Sequence, residues 1–165
     1  LVDTVADARA AGPDHDWQLD LAVLEPPADA TPEEAEDFLP EPPLVIGDEA
    51  RLRQVVVNLL ANARVHTPAG SHVTTTLARE GDTLIVRIHD DGPGIAPEVR
   101  DRLFERFARG DSSRERRTGS TGLGMSIALA IVQSHGGSID VDSSTAPEDH
   151  GTTFSVRLPA AVVEE

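Results

Sequence analysis

Two runs of alternating apolar side chains, Val73-Thr75-Leu77 and Leu84-Val86-Ile88, flank a Gly81-Asp82 step. Alternation places each set on one face of a strand, and a Gly-Asp pair between two such runs closes a hairpin. A hairpin with one apolar face is marginal in water and needs further strands and a covering layer. Both are legible. Asp48 can cap a helix over 48–64, in which Leu52, Val55, Val56, Leu59, Leu60 and Ala63 recur at helical spacing as an amphipathic stripe. Leu123–His135 is apolar nearly all round and predicts a buried helix. Two more alternating runs, around Ile139 and Val141 and at Phe154, Val156 and Leu158, close the chain. The sum predicts an α/β two-layer sandwich: a mixed, mostly antiparallel sheet with helices on one face.

The remaining segments are weaker signals. Residues 1–10 form a short helix with Leu1, Val2, Val5 and Ala8 on one face, expected to be the end of a connection to an absent upstream domain. Trp17, Leu19 and Leu21 alternate as a strand. Residues 25–43 hold six prolines and seven acidic residues, which predicts a solvated loop. Leu44–Ile46 reads as a brief strand ending at Gly47, and 97–107 as a short helical patch. A chain of 165 residues without internal repeats is expected to be one domain over 1–165.

Charge and composition narrow the chemistry. The net charge of −15 argues against nucleic acid as a partner, which needs a broad cationic surface. All 14 basic residues are Arg, so lysine chemistry is excluded. The absence of Cys excludes thiolate nucleophiles and cysteine zinc sites. No apolar run reaches the ~20 residues of a membrane span. The chain starts at Leu1, and is expected to be a piece of something longer.

Four constellations remain. Gln54, Asn58 and Asn62 lie four apart on the long helix and share a face. Asn is unfavourable inside helices, so the pair asks for a reason, although a solvated polar face would also accommodate it. Asp90-Asp91-Gly92-Pro93-Gly94-Ile95 follows a strand directly, as a plain turn or as a loop that a ligand can approach closely. Gly119-Ser120-Thr121-Gly122-Leu123-Gly124 opens the apolar helix, as a linker or as a phosphate seat. Gly151-Thr152-Thr153-Phe154 enters the last strand, where an ordinary turn would serve as well.

Their order is the specific signal. Arg51–Ala63, His89–Ile95, Leu103-Phe104-Glu105-Arg106-Phe107 and Thr121–Met125 resemble, in turn, the N, G1, F and G2 boxes of sensor histidine kinase catalytic domains. Ile131–Gly137 is similar to the usual exit from that family's last helix, and Gly-Thr-x-Phe completes five ordered motifs. These domains share a superfamily with gyrase, the 90-kDa heat-shock chaperone and mismatch-repair ATPases.

The resemblance implies ATP and Mg²⁺ as cofactors. By that likeness Asn58 would give its amide oxygen to Mg²⁺ and Asn62 would support the phosphates. Asp90 would accept from the adenine amino group, with Gly92, Gly94, Ile95 and Thr152 completing that edge. Thr121, Gly122, Leu123 and Gly124 would offer the phosphates backbone N–H groups. Arg109 would reach the γ-phosphate from an ATP lid over 108–121, and Arg106 would anchor the F-box patch. The chain departs from the family where Lys and Tyr or Phe often follow the second Asn: here stand Val65 and His66. His66 or Arg64 is the expected stand-in, while a packed or solvated side chain would account for His66 equally well. His15, His72, His89, His135 and His150 fit no metal spacing and are expected to be structural.

Position 54 separates relatives. Superfamily members that hydrolyse ATP outright carry Glu there to activate water; Gln54 cannot take a proton. The implied function is the ATP-binding catalytic domain of a sensor histidine kinase in two-component signalling. It would present Mg·ATP to a histidine on its own helical dimerisation domain. That acceptor histidine and its base are absent here, so no catalytic residue is assigned. The alternatives are an anti-sigma-factor serine kinase of the same superfamily and a degenerate nucleotide-binding interaction module. The resemblance further implies a cognate response regulator, a monomeric fragment and a homodimeric parent. It places this domain in the cytoplasm, on the cytoplasmic side of a membrane-anchored parent.

Overall fold

The computed structural model describes residues 1–26, 30–105 and 123–161. A helix α1 (Val2–Ala11) leads to strand β1 (Asp16–Asp20), a 3-10 turn (Ala22–Leu24) and a short helix α2 (Pro32–Glu36). The long helix α3 (Glu49–His66) precedes the hairpin β2 (His72–Glu80) and β3 (Thr83–Asp90). Then come α4 (Pro97–Arg100), α5 (Gly124–Ser134), β4 (Ser138–Ala146) and β5 (Asp149–Pro159). The five strands form one sheet in the order β1-β2-β3-β5-β4. Only β1 with β2 is parallel; the other three pairs are antiparallel. This is the mixed two-layer sandwich that the alternating runs predict.

The hydrophobic core lies between the sheet and α3 with α5. Val55, Leu59, Leu60 and Ala63 of the predicted stripe are buried, against Val73, Ile88, Phe154 and Val156 from the sheet and Ala128, Ile131 and Val132 from α5. Burying the Val, Leu, Ile and Phe side chains among these yields roughly 1.5–3 kcal/mol each before entropy is counted. Asp48 caps α3 by accepting from the Arg51 amide at 3.0 Å, which satisfies one of the orphan donors of the first turn. α1 packs on α3 through Val5, and Trp17 of β1 is buried in the same core, its indole N–H donating to the Gly12 carbonyl at 2.7 Å.

Three local expectations need correction. Residues 25–43 are not loop throughout: Thr31 and Glu34 form a capping box, with Pro32 opening the helix, and they start α2. Leu44–Ile46 is not a strand among the described residues: the Leu44 carbonyl accepts from the Ala161 amide, and no further ladder bond to this segment lies among them. Pro42 and Pro43 immediately before it have no N–H to extend one. The α5 helix is not apolar to the interior all round, since Ile127 lies on its solvent side.

Candidate functional site

Helix α3 is the common wall of the site. The i, i+4 spacing stacks Asn58 and Asn62 on one side of it, and the half-buried Asn58 meets the start of α5. Its Nδ2 donates to the Gly124 carbonyl at 3.1 Å. A carbonyl only accepts, so this bond takes the amide nitrogen and leaves the Asn58 amide oxygen for another partner. Gln54, one turn earlier, is exposed.

At the other end of α3 the chain reaches the loop after β3. Asp90, the last residue of β3, is 4% exposed, and its Oδ1 accepts from the Gly92 amide at 3.0 Å. Burial pushes its carboxyl above the usual carboxylate range, opposed by the Gly92 bond and the nearby His89 and His66. Its Oδ2 has no hydrogen-bond partner among the described residues. Directly across the ladder stands Thr152, also buried.

The loop is clamped on both sides. Gly94 has φ +77°, and a Cβ there would lie 1.9 Å from the Ser144 carbonyl oxygen, so only glycine fits against β4. At Gly92 a Cβ would lie 2.4 Å from Cγ2 of Thr67, the residue that ends α3. The Ile95 amide donates to Ser143 Oγ at 2.8 Å, and Ser143 Oγ is also 2.8 Å from Thr152 Oγ1 and 2.8 Å from the Gly151 carbonyl. His150 Nδ1 donates to the Gly92 carbonyl at 2.7 Å.

The sequence-predicted residues therefore gather in two groups along α3. Asp90, Gly92, Gly94, Ile95 and Thr152 surround one end of β3, while Asn58 joins Gly124 beside Leu123 at the start of α5. Asn62 lies one turn along α3 from Asn58 towards the first group. His66 is exposed on the last turn of α3. Arg64 turns away, its stem along Gly12 and its guanidinium towards the Ala11 carbonyl. Arg106, Phe107, Arg109, Thr121, Gly122 and the expected lid over 108–121 lie outside the described residues.

Ser143, Thr67 and His150 carry no signal in the sequence, because each acts through contacts between segments far apart in the chain. The other four histidines expected to be structural also bond within the protein: His15 to Thr67, His72 to Asp91, His89 to Thr153 and His135 to the Asp48 amide.

Residues 47–162 match the family model of histidine kinase-, DNA gyrase B-, and HSP90-like ATPases. The chain is 49% identical over 158 residues to the probable sensor histidine kinase TcrY of Mycobacterium tuberculosis, covering 96% of this chain and 29% of that protein. It thus spans less than a third of this curated relative. Among solved structures, the mycobacterial sensor histidine kinase MprB superposes with a TM-score of 0.76 at 29% identity, over 96% of this chain and 92% of that one. Full-length ShkA in complex with AMPPNP superposes with a TM-score of 0.70 at 24% identity, over 99% of this chain and 30% of that one, and shares the fold.

Proposed function

Because the chain belongs to the histidine kinase-, DNA gyrase B- and HSP90-like ATPase family, as a catalytic, ATP-binding domain of the sensor histidine kinase type, we propose that it holds Mg·ATP for transfer of the γ-phosphoryl group to a histidine on a separate helical dimerisation domain. The observation that carries this reading is the combination, among the described residues, of a buried Asp90 with one carboxylate oxygen uncommitted and an Asn58 amide oxygen not taken by the bond to Gly124. The first suits a base amino group and the second suits a hard cation, so the residues present fit both groups.

Asp90 and Thr152 would hold the adenine edge, with Gly92, Gly94 and Ile95 forming its floor. Asn62, Leu123 and Gly124 would line the phosphate end together with Thr121 and Gly122, and His66 would stand where relatives carry a cation. Arg109 is the candidate for the γ-phosphate. Mg²⁺, held by Asn58, would supply charge neutralisation on the phosphates. Gln54 supports transfer over hydrolysis, because an amide at that position cannot deprotonate water.

The single domain would join its dimerisation domain through residues 1–10, with 25–43 as a peripheral segment, and act on a response regulator through the complete kinase. None of the helices among the described residues is long and apolar enough to cross a membrane. A cytoplasmic position beside a membrane-anchored parent is the setting proposed for it.

The test is calorimetric titration with ADP and Mg·ATP, followed by labelled ATP with and without a separately supplied phosphoacceptor domain. Binding without self-labelling, and labelling of the added domain, is the expected result. A stable phosphohistidine on this chain alone overturns the reading.

A further inference from the structure

Ser143 on β4 sits where three segments meet, and its hydroxyl has one proton and two acceptor positions. Its three neighbours at 2.8 Å use all of them. The Gly151 carbonyl can only accept, so it takes the Ser143 proton. The Ile95 amide can only donate, so it occupies one acceptor position. The remaining position takes the hydroxyl proton of Thr152. In this arrangement every polar atom of the cluster is satisfied, as a half-buried network requires.

The consequence falls on Thr152. With its proton committed to Ser143, its oxygen can offer only lone pairs elsewhere. Thr152 is the direct ladder partner of Asp90, and side chains so placed on adjacent antiparallel strands stand about 4.5–5.5 Å apart at Cβ. The end of the β3–β5 pair thus presents two acceptors side by side, a carboxylate and a hydroxyl oxygen. An exocyclic amino group carries two N–H donors and matches this pair. An oxo group in the same position carries none, and would face two acceptors across a desolvated edge.

We propose that Ser143 is a positioning residue for base selectivity: by taking the proton of Thr152 it keeps the Asp90–Thr152 edge an all-acceptor surface that favours 6-amino over 6-oxo purine nucleotides. The proposal rests on the reading that Asp90 and Thr152 hold the base. Removal of the Ser143 hydroxyl releases the Thr152 proton, which can then turn and donate to an oxo group.

The test compares ATP with inosine triphosphate, which carries an oxo group in place of the amino group and, with it, a proton on N1 where adenine has a lone pair. Affinities for both are measured by calorimetry on the wild-type chain and on Ser143→Ala, Ser143→Cys and Ser143→Thr, with thermal melts to establish folding. Ser143→Ala should reduce the ATP preference by about tenfold, the scale of one unpaired group. Ser143→Cys, which keeps the shape but bonds weakly, should move the ratio the same way. Ser143→Thr, which keeps the hydroxyl, should hold it. Equal weakening of both nucleotides, or an unchanged ratio in a folded Ala or Cys variant, overturns the proposal. If ATP binding does not depend on Asp90, the underlying site assignment fails instead, and an Asp90→Asn control separates the two failures.

Discussion

The imidazole of His135 ties the exit of α5 to the start of α3: its Nδ1–H donates to the Ile131 carbonyl at 2.8 Å, and its Nε2 accepts the Asp48 amide at 3.0 Å. The two bonds fix one neutral tautomer. They also hold Asp48 where its side chain caps α3. His135→Ala should therefore destabilise the domain by about 1 kcal/mol, with Asp48→Ala costing ~0.5–2 kcal/mol. Because the two act on one helix terminus, the double variant should lose less than the sum. Denaturant melts of the four proteins check this; strict additivity would show that the bond does not support the cap.

Asp90 should trade stability for binding. Burial raises its native pKa, so the folded state binds the proton more tightly than the unfolded chain does. Stability then falls as pH rises from the ordinary carboxylate value of 3.8 through the raised native one, and the penalty persists at neutral pH. Asp90→Asn should raise the melting temperature of the empty domain at pH 7, and this gain should vanish at low pH. The same variant should lose ~1–3 kcal/mol of ATP affinity, since an acceptor is replaced by a group that can also donate. Melts across pH, paired with calorimetry, read both effects.

His72 should show the opposite sign. Its ring hydrogen-bonds Asp91 at 2.8 Å and lies 3.6 Å from Asp16, and the Asp91 bond and charge raise its pKa. A raised imidazole contributes stability that is fully present below its ordinary value of 6.5 and is lost as pH climbs through the native one. Asp91 closes the lower end: partial burial opposes the shift, but His72 holds its carboxyl below the ordinary value, so its contribution goes as acid protonates it. The pair is exposed, so the effect should be modest and weakened by salt. His72→Gln should flatten the melting profile across the imidazole range, and an unchanged slope would rule the pair out.

Asn58 should act through the metal. Asn58→Ala should reduce phosphoryl transfer to an added phosphoacceptor domain by about a hundredfold or more, the usual scale for a positioned charge-stabilising contact. ADP binding without Mg²⁺ should weaken far less. Equal losses in both assays would mean that the bond to the Gly124 carbonyl is the whole of its role.

The features legible in the sequence are those set by local period. The α3 stripe from Leu52 to Ala63 and the Val73–Ile88 hairpin appear as their spacing predicts, because each repeats over enough residues to outweigh its flanks. Leu44–Ile46 shows the limit: three apolar residues look like a strand, yet a strand requires a neighbour's ladder, and among the described residues only the Ala161 amide arrives. At Thr31–Glu34 the proline-rich surroundings hide a capping box that is complete in itself. In the candidate site, the ordered motifs single out Asp90, Gly94 and Asn58 because they belong to contiguous patterns. Ser143 and Thr67 stay silent, since their importance arises only when β4 and the end of α3 are folded against the loop after β3.

The parallel pairing of β1 with β2 carries a consequence for synthesis. Trp17 pairs in register with Val73, so when β1 leaves the ribosome its partner strand has not yet been translated. The β2–β3 hairpin closes through a two-residue turn and can form within microseconds of emerging, whereas β1 must wait for a long intervening segment to be looped out. Until then the largest aromatic side chain of the core stays in solvent beside α1. The N-terminal arm is thus the part of the sheet that can dock only late on a nascent chain.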